Sequence, residues 1–296
     1  MPGRFALQDI AESGNRLLLV AIHGGREMVV RRSGQDPVGA TWLGASTVAD
    51  ISSDGARILF LDGYSSEKSY GSWLRPVSGG DAVRLGNGIP SAFSPDGRSV
   101  VATTSPLLGP PQVLLIPVGP GAPRTLTSSA AVHAHPAFAG PDTILFLRSE
   151  GTTSEIWRMA KDGTAPRSLG AAGCDLPAAS PVGDVFLVRC GESKGELEIF
   201  PMTGGAGRSL HALPEGQFFV ACRFDRTGRE VLAVTSALRL LRIDTAAGRL
   251  LSDERLSLGD PAELPMLRTA ALTADGAIQV YSFDRFSSGL YLADSL

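Results

Sequence analysis

His133 and His135, one residue apart, are the only paired histidines in the chain. On an extended strand, positions i and i+2 share a face, so both imidazoles could meet one metal ion. Two ligands do not make a site, and His23 and His211 are far away in sequence. The plainer reading is a pair of polar rim residues leading into a strand, and neither metal nor cofactor is expected. Three cysteines are present, with no C-x-x-C pair, which excludes a zinc ribbon and a thioredoxin motif. Cys174 and Cys190 flank Val182-Gly183 almost symmetrically. An antiparallel hairpin there would bring them within disulfide reach, but two small buried thiols are the plainer expectation. Cys222 has no evident partner. Asp54, Asp96 and Asp275 each precede a glycine (Gly55, Gly97, Gly276), and no Asp-x-Asp-x-Asp-Gly calcium loop occurs. Phosphoryl-transfer signatures are missing: no Gly-rich phosphate loop, Val-Ala-Ile-Lys, His-Arg-Asp or Asp-Phe-Gly. No catalysis by this chain is expected.

Charge and hydropathy exclude two further classes. The net charge of −3 argues against a surface that tracks nucleic-acid phosphates. The longest apolar run, Leu17–Ile22, is far shorter than the ~18 residues needed to span a bilayer. No membrane insertion by this chain is expected, and no signal peptide is visible.

What must position these residues is a repeat. Pro90–Thr104 reads as a strand, a Ser-Pro-Asp-Gly turn and a second strand. The same pattern recurs at Val48–Asp62 and Leu267–Phe283. Degenerate copies lie at Phe5–Ala21, His135–Ser149, Pro177–Arg189 and Val220–Thr235. A second signature follows most hairpins, a Gly-rich turn and then Arg-x-Leu or a close relative. Its arginines, Arg84, Arg124, Arg167, Arg208 and Arg249, lie 40, 43, 41 and 41 residues apart. The first repeat departs from it, with Trp42 near that place. Each unit therefore holds four strands, the last carrying the arginine, and residues 1–296 read as a single all-β domain. This is a β-propeller of about seven four-stranded blades, the last lacking its outer strand. The alternative is six complete blades plus a frayed one. In the seven-blade reading Leu290–Asp294 is the final third strand and nothing remains to complete the blade. The chain is then expected to be the tail of a longer protein whose preceding segment supplies the closing strand.

The Phe-Ser-Pro-Asp-Gly hairpin with Gly-Gly-x-x-Arg-x-Leu resembles the TolB-like (WD-repeat-like, PD40) propeller family over the whole chain. Pro2–Ile10 with Asn15–Leu19, and Leu272–Leu296, are similar to segments of large bacterial eukaryotic-like Ser/Thr protein kinases. That resemblance implies a C-terminal propeller in an extracytoplasmic compartment, with the kinase domain in cis in the parent protein. Fold alone does not fix function. The favoured expectation is a non-enzymatic binding or sensory module that takes a peptide, protein or cell-envelope ligand. Alternatives are a TolB-type envelope interaction protein without a kinase, and the propeller gate of a serine peptidase.

In a propeller, the starts of the inner strands and the second-to-third-strand loops share one face. Those segments here are long and varied: Gly63–Tyr70, Ser105–Pro111, Ser128–His135, His211–Phe218 and Ser252–Pro265. Varied loops on a rigid scaffold are where recognition usually sits. Asp50, His133, His135, Asp175 and Arg223 are expected near that channel mouth.

Overall fold

The structure, a computed structural model, describes residues 4–10, 16–42, 45–62, 70–257 and 266–294. The first strands are β1 (Arg4–Ile10), β2 (Arg16–Arg32) and β3 (Val38–Gly39). Five consecutive four-stranded sheets follow. Blade one is β4 (Ser46–Ile51), β5 (Arg57–Asp62), β6 (Gly71–Pro76) and β7 (Val83–Asn87). Blade two is β8 (Ile89–Phe93), β9 (Ser99–Thr103), β10 (Val113–Pro117) and β11 (Arg124–Thr125). Blade three is β12 (Val132–Phe138), β13 (Thr143–Glu150), β14 (Thr153–Ala160) and β15 (Arg167–Gly170). Blade four is β16 (Asp175–Ala179), β17 (Val185–Cys190), β18 (Glu196–Pro201) and β19 (Arg208–Ala212). Blade five is β20 (Phe219–Phe224), β21 (Glu230–Thr235), β22 (Arg239–Asp244) and β23 (Leu250–Arg255). The sixth sheet joins β24 (Met266–Leu272) and β25 (Ile278–Asp294) to β2 and β3 from the other end of the chain.

The fold is thus a six-bladed β-propeller, the six-blade arrangement rather than seven. The sixth blade does not lack its outer strand. Gly25–Arg32 of β2 pair with Ile278–Arg285 of β25, and β3 completes the edge. The chain's own residues close the ring, which removes the reason to invoke a closing strand from a preceding segment. The first sequence repeat is not a separate blade, since β2 is the third strand of blade six. Nor is Leu290–Asp294 a third strand, because β25 runs unbroken for 17 residues. The outer halves of β2 and β25, with β1 along β2, continue past the blade as a three-stranded ribbon.

The core is six clusters, one at each seam between blades. Second strands lie inside their sheets with both faces covered, so they read as continuous apolar runs. In blade two, Val100 and Ala102 pack toward Leu59 and Leu74 of blade one, while Val101 packs toward Ile144 and Phe146 of blade three. The closing seam sets Met28, Val30 and Val280 against Val48, Ile51, Ile58 and Phe60, all buried. Polar clamps reinforce the seams. Arg167 donates to the carbonyls of Met202 and Thr203 in the next blade, each at 3.3 Å, and Arg208 donates to that of Thr245. At the closing seam Arg32 takes this role with Val77 O, 3.0 Å. Arg84 instead donates to Asn87 Oδ1, Arg124 sits in β11, and Arg249 immediately precedes β23.

The Asp-Gly turns show why these residue types recur. Asp96 Oδ1 accepts from Ser94 Oγ (2.5 Å) and from Arg98 N (3.0 Å), and Gly97 takes φ +65°, which a side chain disfavours. Asp54 and Asp275 make the equivalent pair of bonds with Ser52 and Ala56, and with Thr273 and Ala277. In all three, the hydroxyl hydrogen bond comes first in holding the carboxyl below its ordinary value. A depressed native pKa adds stability that is complete above the unfolded pKa, about 4, and is lost as pH falls through the native value. Acid titration of the unfolding free energy is therefore expected to show this loss. Ser94→Ala should shrink it without altering stability at neutral pH by more than about 1 kcal/mol.

Candidate functional site: the channel and its loop-face mouth

The six inner strands, β4, β8, β12, β16, β20 and β24, line the channel. They are rich in small residues such as Ser91-Ala92, Ala134, Ala178-Ala179 and Ala221, which suits six strands converging on one axis. Each also carries a β-bulge. A bulge leaves a residue outside the ladder and re-aims it. The skipped residues include Ala49, Ser91, His135, Leu176, Val220 and Arg268. His135 and Leu176 adopt φ of +49° and +47°. His135 and Arg268 are exposed, on the third and sixth of six blades, and so face each other across the ring.

Charged groups gather at both ends of the channel. Asp175 opens β16 at the loop face, opposite Arg189 of β17. Arg189 donates to both its carboxylate oxygens, at 3.0 and 3.3 Å, and also to Phe219 O of the next blade. Lys194 approaches Asp175 at 4.0 Å and donates to Gly173 O at 2.8 Å. The crowded surroundings of His135 lower its pKa, mainly by desolvation. Asp175 pulls the other way, and Arg189 and Lys194 add to the lowering. Burial pushes the neighbouring Cys222 thiol up to about 12, so it stays protonated and unreactive at neutral pH. On blade six, Arg26 Nε and Arg268 Nε both donate to Asp284, at 2.9 and 2.6 Å, and Arg26 Nη1 reaches Thr47.

Asp50 and Arg223 lie elsewhere than the mouth. Each is the next-to-last residue of its inner strand, beside the Asp-Gly turns. Arg223 Nη1 donates to Asp50 Oδ1 (3.0 Å) and Leu272 O (2.8 Å), linking blade five to blades six and one. Asp50 also accepts from Phe93 N (2.9 Å) and Ile51 N (2.8 Å). Burial raises the Asp50 carboxyl despite Arg223 and both amides. The pair crosses the turn-face end of the channel. Removing one partner strands a desolvated charge, which costs about 3–5 kcal/mol for a fully buried pair. Arg223 keeps 31% of its side chain exposed, so Arg223→Ala is expected to cost about 2 kcal/mol by urea denaturation. Arg239→Ala, which breaks only a solvent-exposed pair, should leave the urea midpoint unchanged within error.

His133 departs from its neighbour. It is buried, its Nδ1 meets Gln112 Oε1 at 3.1 Å, and its ring sits edge-on to Phe146. The bulge that follows separates its environment from that of His135. Among the described residues no three His, Cys, Asp or Glu side chains are placed to hold a metal ion. Cys174 and Cys190 form a disulfide, with Cα atoms 4.3 Å apart, where free thiols were the plainer expectation. Hairpin pairing of Asp175 with Arg189 sets their neighbours opposite each other. Sequence reasoning missed Arg189, Lys194, Arg26, Asp284 and Arg268. Of these only Arg189 left a signal, through its place opposite Asp175 in a hairpin.

Of the long loops, residues 63–69 and 258–265 lie outside the described residues. The described loop face presents exposed apolar side chains on four blades: Leu107 and Leu108, Val132, Phe218 and Met266. No family model and no curated protein matches the chain. Solved structures do. A chain provisionally named TolB from Agrobacterium tumefaciens superposes with a TM-score of 0.64 at 16% identity, over 90% of this chain and 99% of that one. In fold, the chain is TolB-like. TolB from Acinetobacter baumannii gives a TM-score of 0.55 at 16% identity, over 91% of this chain and 64% of that one. A chain of a nidogen–laminin complex gives 0.58 at 15% identity, over 78% and 94%. At such identities the TolB-like likeness is one of architecture, and function rests on the site. No described helix of this TolB-like propeller is long and apolar enough to cross a membrane.

Proposed function

We propose that this chain is a non-enzymatic binding module that recognises a peptide or protein segment at its loop-face mouth. The observation that carries this is the band of Leu107, Leu108, Val132, Phe218 and Met266 around a mouth holding Asp175, Arg189, Lys194, His135, Arg26 and Arg268. Apolar contact area beside orienting charges is the makeup of a protein-recognition surface. Asp50 and Arg223 span the far end, so access from the loop face is favoured. The parent protein is a membrane-bound bacterial Ser/Thr kinase whose propeller faces outward, a reading supported by the sequence resemblance. The Cys174–Cys190 disulfide agrees with an oxidising, extracytoplasmic compartment. The fold likeness to two TolB chains favours a second reading, a TolB-type interaction protein without a kinase.

Photo-crosslinkers placed at Leu108 and Phe218, exposed to envelope extract, should capture a discrete partner. Crosslinkers at Val83 and Val182, exposed on the turn face, should not. Equal capture from both faces would overturn the assignment of the mouth. A kinase reading frame joined to this one separates the two readings.

A further inference from the structure

The geometry points to Arg268, with Arg26 beside it, as a site for a carboxylate of an acidic peptide, a proposal that rests on the mouth being the binding face. Arg268 is the bulge residue of β24: Leu267 pairs with Phe283 and Thr269 with Ser282, and Arg268 is skipped. The bulge turns it out of the ladder at the loop-face end of the strand. Its Nε is held at 2.6 Å by Asp284, whose side chain is only 8% exposed. Its two terminal nitrogens have no hydrogen-bond partner among the described residues, and 42% of the side chain is exposed. Arg26 is anchored the same way, Nε to Asp284 and Nη1 to Thr47, with no hydrogen-bond partner for Nη2 among the described residues.

One buried carboxylate thus orients two guanidiniums, and the cluster carries a net charge of +1. Burial works to raise the Asp284 carboxyl, but hydrogen bonds from Arg26 and Arg268 hold it below the ordinary value, so it stays ionised. A guanidinium fixed through Nε presents its Nη pair as a planar fork, which matches the two oxygens of a carboxylate. Holding the fork in place beforehand removes part of the ordering cost of binding. Met266 lies two residues away and is exposed, so apolar contact is available beside the charge. Phosphate oxyanions share the fork chemistry, and the apolar surroundings favour a peptide.

The test uses the full chain and fluorescence anisotropy. Probes are a labelled acidic, Leu-containing octapeptide, its Asn/Gln counterpart, and inorganic phosphate as competitor. The acidic peptide should bind, weaken as salt rises, and bind at least tenfold more tightly than the neutral one. Arg268→Gln should lose at least tenfold, and Arg268→Lys, which keeps the charge without the fork, should fall between. Circular dichroism confirms that these variants fold. Equal affinity of wild type and Arg268→Gln, or of acidic and neutral peptides, would overturn the proposal. So would displacement by phosphate at concentrations matching the peptide, which would assign the site to free oxyanions. If Leu108 and Phe218 crosslinks to a partner survive in Arg268→Gln, the mouth still binds and only this carboxylate site fails.

Discussion

A chain lacking residues 1–40 is expected to show no cooperative unfolding transition. Residues 16–39 supply the third and fourth strands of blade six, and without them β24 and β25 stand as a bare hairpin. Met28, Val30 and Ala40, all buried, leave with the segment. Their loss uncovers Val280, Val48, Ile51, Ile58 and Phe60 across the closing seam. Each large side chain exposed costs roughly 1.5–3 kcal/mol, and five or more together match the ~5–15 kcal/mol that keeps a domain folded. An isolated hairpin does not persist in water, so blade six cannot compensate. The backbone ladder from Gly25 to Arg32 is lost as well. Urea denaturation followed by near-ultraviolet circular dichroism reads the result. A sharp transition in the shortened chain would mean that five blades close without the sixth. A synthetic peptide of residues 16–40, added in excess, should restore part of the native signal.

Removing the disulfide is expected to cost about 3 kcal/mol, the chain-entropy value for a loop of about 16 residues. The variant is Cys174→Ala with Cys190→Ala, compared with wild type in reductant and out of it. Reductant should lower the melting temperature of wild type and leave that of the variant unchanged. Cys222→Ser should keep the full sensitivity to reductant, because Cys222 is not in the bond. The bond lies one residue outside the Asp175–Arg189 pair, so its loss also loosens the mouth. The Gly173 carbonyl that receives Lys194 sits beside Cys174, and the Lys194 carbonyl in turn accepts from Phe219 N. A wild-type chain indifferent to reductant would show that the ladder alone fixes this corner.

Local chemistry decides which parts of this architecture can be read in the sequence. Asp-Gly turns and Gly-rich turns depend on positive φ and a few side-chain bonds, so each blade repeats them. That repetition marks the first hairpins of all six blades, and the register arginines mark the outer strands of blades one to five. Closure is not local. Leu17–Ile22 followed by His23-Gly-Gly reads equally well as an inner hairpin strand, and nothing nearby reveals that its partner is β25. Counting it as a blade yields seven, and placing it in blade six yields six. The mouth has the same limitation. Asp175 lies where inner-strand counting puts it, because it opens its strand. Asp50 and Arg223 sit near strand ends, and only the strand bounds reveal that these are at the turn face. Arg268 depends on a bulge that leaves no trace in composition, and Arg26 depends on the closing strand itself.

That closing strand also sets a timetable for synthesis. Arg32 pairs with Ile278 and Arg16 with Asp294, so the ring cannot shut until nearly all of the chain exists. At ~5–20 residues per second, the 246 residues from Arg32 to Ile278 take roughly 12–50 s to make. Through that interval β2, with its apolar run Leu17–Ile22, has only its sequence neighbours β1 and β3 available as ladder partners. Blades one to five form from neighbours in sequence and can fold as they emerge. The last step joins the most distant segments, and high sequence separation makes such steps slow. The nascent ring therefore spends its longest wait with an unpaired apolar edge, and it is there that a holding chaperone or a premature aggregate would act.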